Sequence, residues 1–165
     1  MTPGDSAYRI AQRADLLRFA AGSRHEAGFG YLDEDGRITP DRPVELWISC
    51  RMTHVFAMGL LAGEDPAPGG PDANGLRELA QHGVDALLDG PLRDTDNGGW
   101  FAGVNPDGSL LPTKMAYAHA FVILAATSAK AAGLDRADEL LDLALSTQSE
   151  RFWDEDAGLS VEEWD

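Results

Sequence analysis

The chain has 165 residues, 44% of them hydrophobic, which suffices for one domain whose core needs no disulfide or metal staple. Twenty-eight acidic against thirteen basic side chains leave a formal charge of −15, which repels a phosphate backbone and offers anionic lipid no polybasic surface, so nucleic acid and membrane are not expected partners. One cysteine, Cys50, and scattered histidines at 25, 54, 82 and 119 supply no disulfide framework or zinc motif, and Met1–Asp15 carries no leader pattern, so the expectation is a soluble cytoplasmic chain.

Five segments read as helices. The first, Ser6 to Gly22, is amphipathic, with Ala7, Ile10, Ala14, Leu17 and Ala21 at spacings of three and four and Arg9, Arg13 and Arg18 mostly off that stripe. A long loop from Phe29 to Arg42 follows, with Asp35-Gly36 as hairpin chemistry. The second helix is expected to open at Pro43 and reach Ala62; it is apolar almost all round, hence buried. Segment three, Asn74 to Leu88, returns to one apolar face through Leu76, Leu79, Val84 and Leu87. The loop from Gly98 to Pro112 holds the turn Asn105-Pro106-Asp107-Gly108. Segment four, Lys114 to Ala132, has Thr113 as its expected N-cap and is again apolar on every side; segment five, capped by Asp135, is amphipathic through Leu140, Leu141, Ala144 and Leu145.

Exposed and buried helices alternating along the chain fit two concentric layers: an all-α fold, an α/α toroid or a solenoid relative of it, with short β-hairpin loops on one rim. The link at Gly133 is short, while that from Gly63 to Ala73 is longer and rich in proline and glycine. LRDTDNGGWFAG from Leu92 resembles FWDEDAGLSVEE from Phe152, and HEAGFGYLDEDG from His25 is a looser third copy. One helix pair plus its rim loop then takes roughly sixty to seventy residues, so the chain holds about two and a half units and cannot close a ring. Residues 1–165 are therefore read as the N-terminal portion of a single toroid domain, truncated, with an open apolar edge that favours self-association or a homo-oligomer.

Arg51 is the most informative residue. A guanidinium in the middle of a buried helix needs either a carboxylate from a neighbouring inner helix or a ligand. Trp47, Arg51, His54 and Met58 share a helical face, an arrangement suited to an oxygen-rich ligand. In segment four Tyr117, Phe121 and Leu124 share a face; a buried Tyr117 needs a hydrogen-bond partner, in the core or in a ligand. His119 points elsewhere, and both His54 and His119 read first as core histidines. Lys114, one of two lysines, stands at a helix start where the dipole disfavours it, so a nearby carboxylate is expected. Asp94-Thr95-Asp96-Asn97-Gly98 is not a calcium loop, because its glycine comes one residue early and the twelfth position has no glutamate. The acidic runs Asp33-Glu34-Asp35 and Asp154 to Asp165 read as solvated surface rather than paired catalytic acids.

LWISCRMTHVFAMG at 46–59, GPLRDTDNGGWFAGVNPDG at 90–108, KMAYAHAFVILAATSA at 114–129 and FWDEDAGLSVEEWD at 152–165 resemble the N-acylglucosamine 2-epimerase family, closest to its aldose–ketose isomerase branch, the mannose and sulfoquinovose isomerases. The resemblance, from about Gly28 onward, implies a toroid of six helix pairs. It also implies a sugar substrate held by Arg51 and Tyr117, with His54 and His119 in supporting roles; Trp47, by its shared face with Arg51, and Lys114, by its place at a helix start, are further supporting candidates. Metal-free chemistry is implied as well, in which histidines move a proton between C1 and C2 through an enediol. Those histidines are expected on later helices, beyond Asp165. A 2-epimerase of the same family and a non-catalytic sugar- or protein-binding fragment are the alternatives.

Overall fold

In the computed structural model, residues 5–63 and 69–164 are described. Residues 1–4, 64–68 and 165 lie outside that description, and with them the start of the N-terminal segment, the centre of the proline-rich link and the last acidic residue. Five helices carry the fold: α1 (Ser6–Ala20), α2 (Leu46–Ala62), α3 (Ala73–Asp89), α4 (Ala116–Ala131) and α5 (Ala137–Arg151). The strands are two residues each: β1 (Arg24–His25), β2 (Gly28–Phe29), β3 (Val44–Glu45), β4 (Gly103–Val104), β5 (Leu110–Leu111), β6 (Lys114–Met115), β7 (Trp153–Asp154), β8 (Leu159–Ser160) and β9 (Glu163–Trp164).

The expected layering is present. α2 packs against α3 on one side and α4 on another, and α4 against α5, so α2 and α4 form an inner layer and α3 and α5 an outer one. The core runs between them, through Phe29, Leu46, Phe56, Val84, Leu87, Trp100, Val122 and Leu140. The inner helices are not buried all round, however. α2 exposes Val55, Met58 and Leu61, and α4 exposes Tyr117 and Leu124, because the face turned away from the outer layer meets no covering element among the described residues. α1 buries no residue fully and leaves Ile10 of its expected stripe exposed.

Both hairpin loops lie on one rim, where they are stitched together. β3, just before α2, pairs with β4 in the loop after α3, and β4 pairs with β5. β6, just before α4, pairs in the same way with β9 in the loop after α5. This pairing moves the expected helix starts. Pro43 does not open α2, since Val44 and Glu45 are held extended and Leu46 donates its N–H to the Ala102 carbonyl. Thr113 does not cap α4, since Lys114 and Met115 are strand and Ala116 donates to the Glu162 carbonyl. The orphan amides of both helix starts are thus partly satisfied by rim-loop carbonyls rather than by a side-chain cap. Asp135 is likewise not the cap of α5. Arg136 occupies that position with φ 58°, and its guanidinium pairs with Asp89 and Glu139, while the Asp135 N–H bonds the Gln81 side chain.

The repeat seen in the sequence is a structural one. Asp94 and Asp154 each accept the N–H groups two and three residues ahead, at 2.9–3.1 Å, in the same tight turn. The flanking backbone bonds also correspond: Phe101 to the Leu92 carbonyl and Val161 to the Phe152 carbonyl, both 2.8 Å.

Candidate functional site

The strand-to-helix starts place the opening turns of α2 and α4 side by side at the rim. The Arg51 guanidinium carbon lies 5.4 Å from the Trp47 ring centroid and 5.4 Å from that of Phe121, within cation–π reach of both. Phe121 meets the Tyr117 ring edge-on, with centroids 5.1 Å apart. Trp47, Arg51, Phe121 and Tyr117 therefore form one continuous patch on the exposed face of the inner layer. Each helix contributes an i, i+4 pair, an aromatic residue followed by arginine on α2 and by phenylalanine on α4.

Two expectations change here. Arg51 is exposed, not buried, and it makes no ion pair among the described residues. Its face of α2 has no neighbouring layer, so the desolvation argument for an obligatory partner does not apply to it. Tyr117, expected to be buried with its hydroxyl bonded in the core or to a ligand, is 54% exposed. The pair nonetheless sits on one surface, open to a ligand.

Among the described residues, Lys114 and Asp94 form a buried ion pair. The Lys114 side chain is 5% exposed, its Nζ lies 2.6 Å from Asp94 Oδ2, and it faces the Trp164 ring at 4.1 Å. The carboxylate expected near Lys114 is therefore Asp94, from the same run that does not fit a calcium loop. Burial pushes the Asp94 carboxyl up, but hydrogen bonds from Lys114 and Asn97 outweigh it and bring its pKa down to about 2. An open crevice of about 520 Å³ adjoins the pair, lined by Asp94, Phe101, Arg151 and Trp164 among others. The corresponding crevice of the preceding repeat, about 570 Å³, has Val44, Pro91 and Val104 at matching positions. Valine fills there the place that lysine takes here.

His119 is a core residue and not a free acid or base. Its Nδ1–H donates to the Met115 carbonyl at 2.9 Å and its Nε2 accepts the Trp100 N–H at 3.1 Å, so both ring nitrogens are engaged and the ring is neutral. Burial lowers its pKa to about 4. His54 turns off the Arg51 patch. Ser128 Oγ donates to the Leu124 carbonyl, so His54 Nδ1–H is the donor in their 2.6 Å contact, and burial lowers its pKa. Asp94, Trp164 and the bridging role of Phe121 were not apparent from local patterns. The seventy-residue offset that relates Trp47 to Tyr117 and Arg51 to Phe121 is the signal that marks Phe121. Among the described residues no group of three or more His, Cys, Asp or Glu is placed to hold a metal ion, and no helix is long and apolar enough to cross a membrane.

The family model for N-acylglucosamine 2-epimerase (GlcNAc 2-epimerase) matches residues 27–165, covering every element of this site. The chain belongs to the N-acylglucosamine 2-epimerase family. Within it, the chain is 43% identical over 161 residues to a D-mannose isomerase of Thermobifida fusca, and 38% identical over 157 residues to one of Pseudomonas cannabina pv. alisalensis. These alignments take in 96% and 95% of this chain but 37% and 35% of those relatives, so it spans little more than a third of their length. The fold recurs in a crystal structure of D-mannose isomerase, with TM-score 0.78 and 22% identity over 98% of this chain and 41% of that one. It recurs also in cellobiose 2-epimerase from Spirochaeta thermophila, with TM-score 0.76 and 23% identity over 96% of this chain and 39% of that one. The two-layered arc is thus the α/α architecture of family members.

Proposed function

We propose that this chain is the N-terminal portion of an α/α toroid that interconverts an aldose and a ketose, with D-mannose and D-fructose as the leading pair. The observation that carries the reading is the patch in which Trp47, Arg51, Phe121 and Tyr117 meet on the open face of two adjacent inner helices. A fixed cation among aromatic rings suits a neutral, oxygen-rich ligand: the guanidinium donates to hydroxyl or carbonyl oxygens, and the rings pack against C–H faces. Identity of 43% to a D-mannose isomerase across nearly the whole chain supports the substrate class. A single, buried, unpaired cysteine is in keeping with a cytoplasmic setting.

In this reading Arg51 holds sugar oxygens and Tyr117 exchanges a hydrogen bond with a hydroxyl. With both nitrogens of His119 committed and His54 directed to Ser128, the groups that shuttle the proton between C1 and C2 are assigned to parts of the intact protein outside these residues. The reaction is assigned to those side chains with no metal or cofactor. The family description also names a 2-epimerase, which would return the proton to C2 instead. Incubation of an intact-length protein with D-mannose, followed by chromatography of the products, separates fructose from the 2-epimer. Arg51→Ala should lower kcat/KM by about 10-fold or more, the loss expected for a charge-assisted hydrogen bond. An unchanged kcat/KM for every hexose tested refutes the assignment.

A further inference from the structure

We propose that Phe121 is a positioning residue that holds the Arg51 guanidinium in the orientation it presents on the open face of the inner layer; the functional part of this inference rests on the sugar-pocket reading above. The argument starts from what Arg51 lacks. It is exposed, it sits in the second turn of α2, and no carboxylate among the described residues pairs with it. A long side chain in that situation samples many rotamers, and its fork-shaped set of donors has no fixed direction.

Two aromatic rings supply the direction. Trp47, one turn back on the same helix, restrains the guanidinium from below, and Phe121 reaches it from α4 at the same 5.4 Å. Trp47 alone moves with α2; Phe121 ties the guanidinium to a second helix and so fixes it across the seam between α2 and α4. Phe121 is suited to this because it is itself held. It is half-buried against the core, and the Tyr117 ring braces it edge-on at 5.1 Å with an interplanar angle of 69°. The internal repeat sharpens the inference: Phe121 occupies on α4 the position of Arg51 on α2, as Tyr117 does that of Trp47. Where one helix carries the cation, the other carries the ring that receives it. A neutral residue here also avoids placing a second cation against the first.

The test has two arms. In the 165-residue chain, at a dilution where light scattering shows a monomer, the ¹⁵N relaxation of Arg51 Nε–H should report an ordered side chain. Phe121→Leu should release it to freely rotating behaviour, while Phe121→Tyr, which keeps the ring, should hold it; an unchanged backbone amide spectrum controls for misfolding. In an intact-length protein, Phe121→Leu should raise KM for the hexose by about 3- to 10-fold with little change in kcat. It should add almost nothing to Arg51→Ala, because the two act through one contact. Equal Arg51 order in wild type and Phe121→Leu, or an equal Phe121→Leu loss in the presence and absence of Arg51, overturns the proposal. If the intact protein turns over no hexose, the functional reading falls and the relaxation arm alone decides the role of Phe121.

Discussion

Ser49 and His119 perform the same task on neighbouring inner helices. Ser49 Oγ accepts the N–H of Phe29, and His119 Nε2 accepts the N–H of Trp100, each at 3.1 Å. The residue before each donor is a glycine with positive φ, Gly28 at 137° and Gly99 at 71°. A Cβ at Gly28 would lie 2.5 Å from Ser49 Oγ, and one at Gly99 would lie 2.9 Å from His119 Nε2. Rim loop and inner helix are therefore joined twice by one device, in which a backbone amide docks on a helix side chain that only glycine lets it approach.

The histidine copy of this device makes stability depend on pH. The folded pKa of His119, about 4, lies below its ordinary value of 6.5, so the unfolded chain binds the extra proton first. Its contribution is complete above pH 6.5 and is lost as pH falls through 4, a loss of roughly 3 kcal/mol over that window. Urea unfolding at pH 7 and pH 4.5 should show the decline. His119→Gln, which does not titrate, should make it shallower within this window, leaving the smaller share of the other groups, His54 among them; an equally steep decline in that variant excludes His119 as its source.

Lys114 and Asp94 should be strongly coupled. Removing the cation alone, in Lys114→Val, leaves a buried carboxylate unpaired and is expected to cost about 3–5 kcal/mol. Asp94→Asn with Lys114→Val keeps an acceptor for the turn and restores the residue that the preceding repeat uses at Val44, so the double variant should recover much of that loss. Chemical denaturation of the two single variants and the double variant measures the coupling, and additive losses would contradict it.

Gly99→Ala should be the more damaging of two superficially similar loop changes. At Gly99 a methyl group meets His119 and Trp164 at a backbone angle unfavourable to other residues, whereas at Gly108, also at positive φ, nothing lies within 4 Å. Gly108→Ala therefore bears the backbone term alone, about 1 kcal/mol, and Gly99→Ala should exceed it by about another 1–3 kcal/mol. Thermal unfolding of both variants ranks them.

Isolated, the 165 residues should self-associate. Val55, Met58 and Leu124 on the inner face and Ile10, Leu16 and Phe19 on α1 are all at least 39% exposed. Light scattering across a concentration series checks this, and a monodisperse monomer at every concentration would count against it.

The layering was legible because helices apolar on all sides and helices apolar on one side alternate along the chain, a pattern that survives without knowledge of contacts. Helix starts were not. Pro43 and Thr113 carry local start signals, but Leu46 and Ala116 begin the helices because strands from Gly103–Val104 and Glu163–Trp164 pair with the residues before them, and no local window contains those partners. Arg51 and Tyr117 stand out singly by residue type and are joined only through the family resemblance, and the exposure of both was misjudged, since composition reports that a helix is apolar and not whether anything covers it. Asp94 was hidden among loop carboxylates that look solvated, and the lysine that buries it lies twenty residues on.

Each inner helix is fastened at its start by chain made much later. Val44 waits for Val104, and Lys114 for Trp164, so during synthesis α2 emerges from the ribosome well before its clamp exists. At the usual pace of translation that interval lasts several seconds, long enough for the apolar face of α2 to meet other surfaces first. The rim loops thus act as delayed latches, and the yield of folded protein should respond to how quickly the codons between Ala62 and Val104 are read.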